Sequence, residues 1–562
     1  MSGIPIGEDG YYHPESEVDV IALVRKAVAE GLQIRCRGAA HSQSHGIYTD
    51  PGTGDPPVRN TVSEPNPPKG PNLNLLFDRM NGLRWIADDT VEADAGIHLG
   101  PDPGSPPGTA TLEQSLLYQA FLKGYTLRDL GGITHQTISG FLAMGCSGGS
   151  LQYGIDENIL AFRVVDGQGN AVWAEKGSDL FAAVGVSMGL LGIITAVRLK
   201  LTPLYSVYGQ ERTTPASGDD CPIDLFGNGT AGRPSLTQFL QDVPYSRLLW
   251  WPQPGAERIV TWMAVPGVPL NQGVQMPYEE FGPSEAGEEV QEMAAAILFT
   301  IAGNLDDLSV VPAKLNRDFE NFEDGLALAL DQLGLSAGLS KLLAEVLGGA
   351  SELVVDAAIK ILGPAIQERL PTAFPKFIDL FQPMTGKKGP KTFQDWAWRS
   401  LPMDNAANDV LLGTEFTEIW IPLENTAAAM QALDAYFRNG GLTATGYNAT
   451  ELYAATASPF WLSPSYGGAV FRVDPFWYIG NAGNPAEAGG FYDGFWRTLR
   501  DAGIPFRLHW AKWLPEYDLP GWAAYFRSQY PRWDNWMAVR AQQDPHNVFL
   551  TSYWREHLGI GQ

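Results

Sequence analysis

Apolar residues recur at helical spacing across "VDVIALVRKAVAE", and the pattern stops at Gly31. Ser16 is placed to cap that helix, and a glycine just past the last apolar position is the usual stop. "LQIRCRG" then reads as a short strand halted by glycine, so the chain opens as helix, strand and glycine loop, an α/β signature. "LRWIA" and "TVEADAG" form a strand pair turning at Asp88-Asp89, and "LEQSLLYQAFLKGYTL" is a second amphipathic helix. "ILAFRVVDGQGNAVWAE" is a hairpin around Asp166-Gly167-Gln168-Gly169, and "AVRLKLTPLY" ends this region as an alternating strand.

Two breaks punctuate the pattern. Residues 51–72 are rich in Pro and Gly and read as an inserted loop; a second such stretch, "TPASGDDCPIDLFGNGTAGRPS", leads from Thr214 into a different composition. Beyond it, "SRLLWWPQP", "RIVTWMAVP", "TEFTEIWIPL" and "AVFRVDPFWYIG" predict strands with aromatic content. Between Glu285 and Phe374 an apolar tract punctuated by glycine and regular charges predicts several packed helices.

Composition narrows the classes. The chain has 562 residues, 44% hydrophobic and 18% charged, enough for several cores. A net charge of −25 argues against nucleic-acid binding, which needs clustered Lys and Arg, and against an anionic membrane surface. Cys36, Cys146 and Cys221 form neither a disulfide framework nor a C-x-x-C pair, so structural zinc is not expected and a reducing compartment fits. The N-terminus shows no signal peptide, and "MAAAILFTIAG" is too short to span a bilayer. A cytoplasmic location, with no membrane span, is the expectation.

Two glycine-rich loops, "RGAAHSQSHG" from Arg37 and "LGGITHQTISGFLAMGCSGGSLQYG" from Leu130, let backbone amides converge on an anion. Neither matches the GxGxxG or Walker pattern. Together they favour a phosphate-bearing cofactor.

With "IRCRGAAHS", the second loop, "FRVVDGQGNAVWA", "VGVSMGLLGIITAVRLKLTP", "HWAK" (509–512) and "DPHNVFLTSYWREHLG" in this order, the chain resembles the vanillyl-alcohol-oxidase/PCMH-type FAD flavoproteins. The last two segments look like the aldonolactone-oxidase and alditol-oxidase branch; the long helical tract is similar to caps of covalent-flavin sterol oxidases. The resemblance implies an α+β fold: a two-part PCMH-type FAD-binding domain (1–205 and 515–562) plus a substrate cap (206–514) with antiparallel sheet and helical insertion. It implies FAD held by Arg37, Gly38, Ala39, Ala40 and Ser42 on one loop. The other loop would contribute Gly132, His135, Ser139, Gly140, Gly145, Ser147, Gly148 and Gly149, with Gly192 and Ile194 at the adenine end.

His41 and His45 stand at i and i+4, a zinc spacing only when both lie on one helix, which the flanking glycines oppose. His41 occupies the position where many relatives bond the flavin 8α-methyl covalently; His45 is expected to be a polar loop residue. On the substrate side the resemblance implies Lys512, His509 and Glu451 positioning and deprotonating a hydroxyl. Relatives carry an Arg where this chain has Tyr453, and Arg472 is a candidate replacement cation whose plain alternative is pairing with Asp474. Glu415 or Glu418 could face the pocket on a cap strand, with surface exposure the stronger expectation. The reading is an FAD-dependent oxidase of a CH–OH group (alcohol, polyol or lactone), reoxidised by O2 to hydrogen peroxide. The alternatives are a bulky apolar alcohol as substrate, a different electron acceptor, or a flavin-binding interaction protein without turnover.

Overall fold

The computed structural model describes residues 4–561 except 63, 268, 281–289, 291–292, 298–299, 301–321, 333–373, 377, 380–381, 387–388, 406–412, 479–484 and 516–520. The expected helical tract 285–374 therefore lies largely outside the described residues; within it a helix runs over Phe322–Gln332.

Helix α1 (Glu17–Glu30) buries Val20, Leu23, Val24 and Ala27; Ser16 accepts from the Asp19 amide, and Gly31 ends it at φ 65°. It leads into β1 (Ile34–Arg37), which pairs in parallel with β2 (Leu73–Leu76). Next come β3 (Leu83–Ala87), β4 (Thr90–Asp94), β5 (Tyr125–Thr126), β6 (Ile159–Val165), β7 (Ala171–Glu175), β8 (Ile193–Lys200) and β9 (Thr202–Pro203). Both predicted hairpins form, and they assemble into a five-stranded antiparallel sheet in the order β3-β4-β8-β6-β7. The second predicted helix is shorter than its apolar pattern: a 3-10 turn at Leu112–Gln114 yields to a helix at Leu116–Leu122 capped by Ser115.

The second sheet is built from β10 (Ser206–Pro215), β11 (Tyr245–Trp251), β12 (Arg258–Gly267), β13 (Lys391–Trp396), β14 (Thr414–Phe416), β15 (Ile419–Pro422), β16 (Thr450–Ala455), β17 (Val470–Tyr478) and β18 (Arg507–Leu508). Its order is β13-β10-β12-β11-β16-β17-β15-β18, with β14 paired to β17. β10, which extends to Pro215, was not anticipated: its "SVYGQERTTP" carries a continuous polar run, Gln210 to Thr214, with no apolar alternation. "TEFTEIWIPL" is two strands, because the chain breaks at Thr417-Glu418, where the Glu418 carbonyl accepts from the His509 amide and the Thr417 hydroxyl donates to the Trp513 carbonyl.

The C-terminal segment returns to the first region. The Ile34 amide donates to the Val548 carbonyl, the Gly167 amide to Gln543, and the Gln43 amide to Ala511. Among the described residues, no helix is long and apolar enough to cross a membrane.

Candidate active site

Two adjoining cavities meet at the junction of the two regions. The first is lined by the β1 loop (Arg37, Gly38, Ala39, Ala40, His41, Ser42), by Ser139, Gly140 and Ala143 of the helix Ile138–Ala143, and by Met188, Gly189, Gly192 and Ile194. The Thr137 side chain caps that helix through the Gly140 amide, and a Cβ at Gly38 would collide with that same side chain. Close approach of the loop to the helix thus requires glycine at position 38. Ala40 adopts φ 62° and Met188 φ 52°, left-handed conformations that cost non-glycine residues energy.

Among the described residues, the amides of Gly38, Ala39, Ala40 and Ser42 find no protein acceptor. Clustered amides without partners beside a cavity suit an anionic ligand such as a dinucleotide diphosphate. The residues present therefore fit FAD.

The second cavity, about 370 Å³, lies against one face of the second sheet. Alternation along each strand turns Arg247, Leu249 and Trp251, Glu451 and Tyr453, Arg472, Phe476 and Tyr478, and Thr414 and Phe416 toward it. Glu418, His509 and Lys512 complete one side. His41, Gln136, Cys146 and Lys512 line both cavities and so mark their boundary.

Both terminal nitrogens of Arg472 are engaged. One Nη donates to the Ser147 and Gly148 carbonyls, both at 3.0 Å; the other bonds Glu418 and the Tyr453 hydroxyl. Its guanidinium lies 3.7 Å from the Tyr453 ring centroid and 4.3 Å from that of Trp420. Asp474, the alternative partner for Arg472, instead accepts the Tyr453 hydroxyl at 2.6 Å. Arg247 forms a second cluster, 2.7 Å from Asp404 and in close contact with Glu451. Lys512 Nζ lies 4.0 Å from the Phe416 ring centroid and donates to the His41 carbonyl at 3.4 Å.

Burial sets the protonation pattern. It lifts the Glu451 carboxyl to about 7, against the pull of Arg247 and with a further push from Asp404. Asp474 is raised well above the carboxylate range by burial and by Glu418. Burial opposes ionisation of Glu418 too, but Arg472, His509 and Lys512 hold it below the ordinary range. His509 is pushed down to about 4 by burial, and its Nδ1 accepts from the Ala511 amide at 3.1 Å. The neutral ring therefore carries its proton on Nε2 and can donate from there.

The sequence-derived residues divide as follows. Lys512, Glu451, His509, Tyr453 and Arg472 all line the second cavity. Arg37, Gly38, Ala39, Ala40, His41, Ser42, Ser139, Gly140, Gly192 and Ile194 line the first. Gly132 and Ser147 border the second cavity, and Gly145 borders a small neighbouring one. Gly148 packs under the Leu130 carbonyl, Gly149 against the Ser246 carbonyl, and the His135 ring lies 5.5 Å from that of His41. His41, Asp102 and His135 each bring a donor atom within 4.8 Å of the others. The Asp102 oxygens accept from the Gly104 amide and the Ser105 hydroxyl.

His45 is on a single helical turn, Ser44–Ile47, that begins after His41, so the two histidines do not share a helix face. It bonds the Val58 carbonyl at 2.9 Å and helps to fasten the 51–72 loop, whose Val62 reaches the second cavity. Glu415 and Glu418 are both buried, contrary to expectation. Glu415 accepts from the Trp513 indole and the Thr61 hydroxyl, whereas Glu418 faces the cavity. Arg247 and Asp404 were missed. No local pattern marks them, since their placement depends on pairing between β11 and β16 and on docking of the 403–405 segment onto the Gly132–Thr134 loop.

Comparison with known proteins adds to this geometry. Residues 407–557 match the family model described as D-arabinono-1,4-lactone oxidase. The D-arabinono-1,4-lactone oxidase of Eremothecium gossypii is 26% identical over 204 residues, 36% of this chain and 33% of that protein. This chain thus spans about a third of the length of the lactone oxidases it matches. The L-gulono-1,4-lactone dehydrogenase of Mycobacterium tuberculosis is 22% identical over 559 residues, 97% of this chain and 95% of that protein. Cholesterol oxidase from Brevibacterium sterolicum superposes with a TM-score of 0.61 at 15% identity, covering 98% of this chain and 94% of that one. The fold is α+β and shared with cholesterol oxidase over nearly the whole chain, and the expected resemblance to the lactone-oxidase branch is borne out.

Proposed function

We propose that this chain is an FAD-dependent oxidase of a CH–OH group in an alcohol, polyol or lactone, returning electrons to O2 as hydrogen peroxide. The observation that carries this reading is the shared boundary of the two cavities at His41, Gln136, Cys146 and Lys512. A cofactor in the first cavity would there meet a substrate in the second.

FAD, when bound, supplies the two-electron acceptor. The protein's part is to hold the hydroxyl and receive its proton. Lys512, half-buried on the boundary, donates to the substrate oxygen. His509 adds a second donor from Nε2, neutral because it is buried. Glu451, with a carboxyl near 7, is matched to accept the hydroxyl proton at neutral pH. The ionised Glu418 holds Arg472 against the loop that follows Cys146 and keeps the wall fixed. Fixed donors in a dry site need no rearrangement during the reaction. His41 is the residue we assign as the covalent attachment point of the flavin.

The test is acid precipitation followed by anaerobic mixing. Wild-type protein gives a yellow pellet and His41→Ala a white one; a white wild-type pellet refutes the covalent bond. Bleaching of the flavin by an alcohol, polyol or lactone, with peroxide formed on readmission of air, supports the oxidase. A flavin that no such donor bleaches refutes it.

A further inference from the structure

The cap sheet presents its cavity face in an ordered sequence, and that order bears on the substrate. On β15, β17 and β16 lie the polar groups: Tyr453 opposite Arg472, Arg472 opposite Trp420, and Glu451 opposite Asp474. On β11 and β12 the lining turns apolar, with Leu249 opposite Val260 and Trp251 one position farther along. Phe476, paired with Phe416, and the buried Met403 extend that apolar surface. Among the described residues, Arg247 is the charged group on this stretch of β11, and further ionisable groups return with Glu211 on β10 and with Tyr278 and Glu280 ahead of β13.

The two guanidinium groups of the cavity are engaged with the protein. Four N–H bonds of Arg472 are taken by Ser147, Gly148, Glu418 and Tyr453, and both faces of its guanidinium are covered by rings. The Tyr453 hydroxyl already donates to Asp474. The Arg247 charge is met by Asp404 and Glu451. Neither guanidinium presents the open fork that grips vicinal hydroxyls or a carboxylate. Among the described residues, Lys512 is the cavity-lining Lys or Arg without an ion-pair partner. Lys512, His509 and Glu451 line the same cavity as Leu249, Trp251 and Val260.

We infer that the substrate is a monohydroxylated alcohol whose single hydroxyl meets Lys512 and Glu451 and whose bulky apolar body lies on Leu249, Trp251, Val260 and Phe476. A sugar lactone is excluded as the preferred donor. The inference rests on the CH–OH oxidase reading and narrows it. A hydroxyl laid against Leu249, Val260 or Phe476 would lose water and meet carbon, a penalty of roughly tenfold in affinity or more for each.

The test uses flavin-loaded protein and anaerobic stopped-flow bleaching with two donor sets. One is a series of ω-phenylalkanols of increasing chain length; the other comprises 1,4-lactones and alditols. The rate constant kcat/KM is expected to rise about fourfold per added methylene until the surface is filled, with the polyhydroxylated donors slower throughout. Trp251→Ala should flatten the series, lowering kcat/KM of the longest alcohol at least tenfold, mainly through KM, and sparing the shortest. Trp251→Phe should restore most of the slope. Val260→Thr, nearly isosteric, should act in the same direction by several-fold even if Trp251→Ala folds poorly.

Lactones or alditols outpacing every alcohol would overturn the inference and leave the oxidase reading standing. So would a flat alcohol series, or variants that slow all donors alike. A flavin that no donor bleaches overturns both.

Discussion

Arg472→Met tests whether the Arg472–Glu418 pair holds the site together. The methionine keeps much of the aliphatic stem but removes the charge. Glu418, 3% exposed, then lacks its ion-pair partner, and the Ser147 and Gly148 carbonyls each lose a donor at 3.0 Å. Breaking a buried pair from one side typically costs about 3–5 kcal/mol, because the remaining charge is uncompensated. In a chain of 562 residues that lowers the thermal midpoint by on the order of 3–4 °C. Adding Glu418→Gln removes the stranded charge, so the double variant should recover about half of the loss, a coupling of roughly 2 kcal/mol. Thermal scans of the two single variants, the double variant and wild type at fixed protein and flavin concentration read this directly. If the midpoint moves by less than about 2 °C, or the double variant is no more stable than Arg472→Met, the reasoning is wrong.

With Glu451 near 7, kcat/KM should rise with pH through about 7 as the carboxylate appears; Glu451→Gln should abolish that limb and reduce kcat by about 10²–10⁴-fold, read from steady-state pH profiles. Burial pushes His557 down to about 4 while its Nδ1 bonds the Tyr553 carbonyl. The unfolded ring protonates first as pH falls below about 6.5, so this group's contribution is present above that pH and is lost toward 4, by about 3 kcal/mol. The loss of thermal midpoint between pH 6.5 and 4 should accordingly be shallower in His557→Gln than in wild type. A Cβ at Gly148 would press on the Leu130 carbonyl and the Asp129 carboxyl beside the Arg472 anchor; Gly148→Ala should cost about 1–3 kcal/mol by overpacking, visible as a lower thermal midpoint.

The parts of the molecule that repeat a local period were legible before folding. Helix α1, both hairpins of the first sheet and most strands of the second follow from spacing, capping and turn residues. The candidate residues His41, Glu451, His509 and Lys512 came from resemblance, not period. Glu418 illustrates the limit. Read as one strand, "TEFTEIWIPL" puts Glu415 and Glu418 on opposite faces, so one of them must meet solvent. The break at Thr417 resets the alternation and buries both carboxylates in separate environments. Arg247 was hidden for a different reason. Its partner Glu451 reaches it only through the pairing of β11 with β16, and such long-range register leaves no trace in either segment alone.

The return of the C-terminal segment to β1 also fixes an order of events in time. The β1 strand and its loop are tied to late residues by Ile34 to Val548, by the Arg35 guanidinium to the Phe549 carbonyl, and by Gln43 to Ala511. Lys512 reaches the His41 carbonyl from that same late segment. A ribosome that has delivered the first half of the chain has therefore made the anion cradle but not the wall that closes it. Closure of the cradle must await synthesis of residues 511–549, so until then the β1 loop faces solvent on the side those residues later cover.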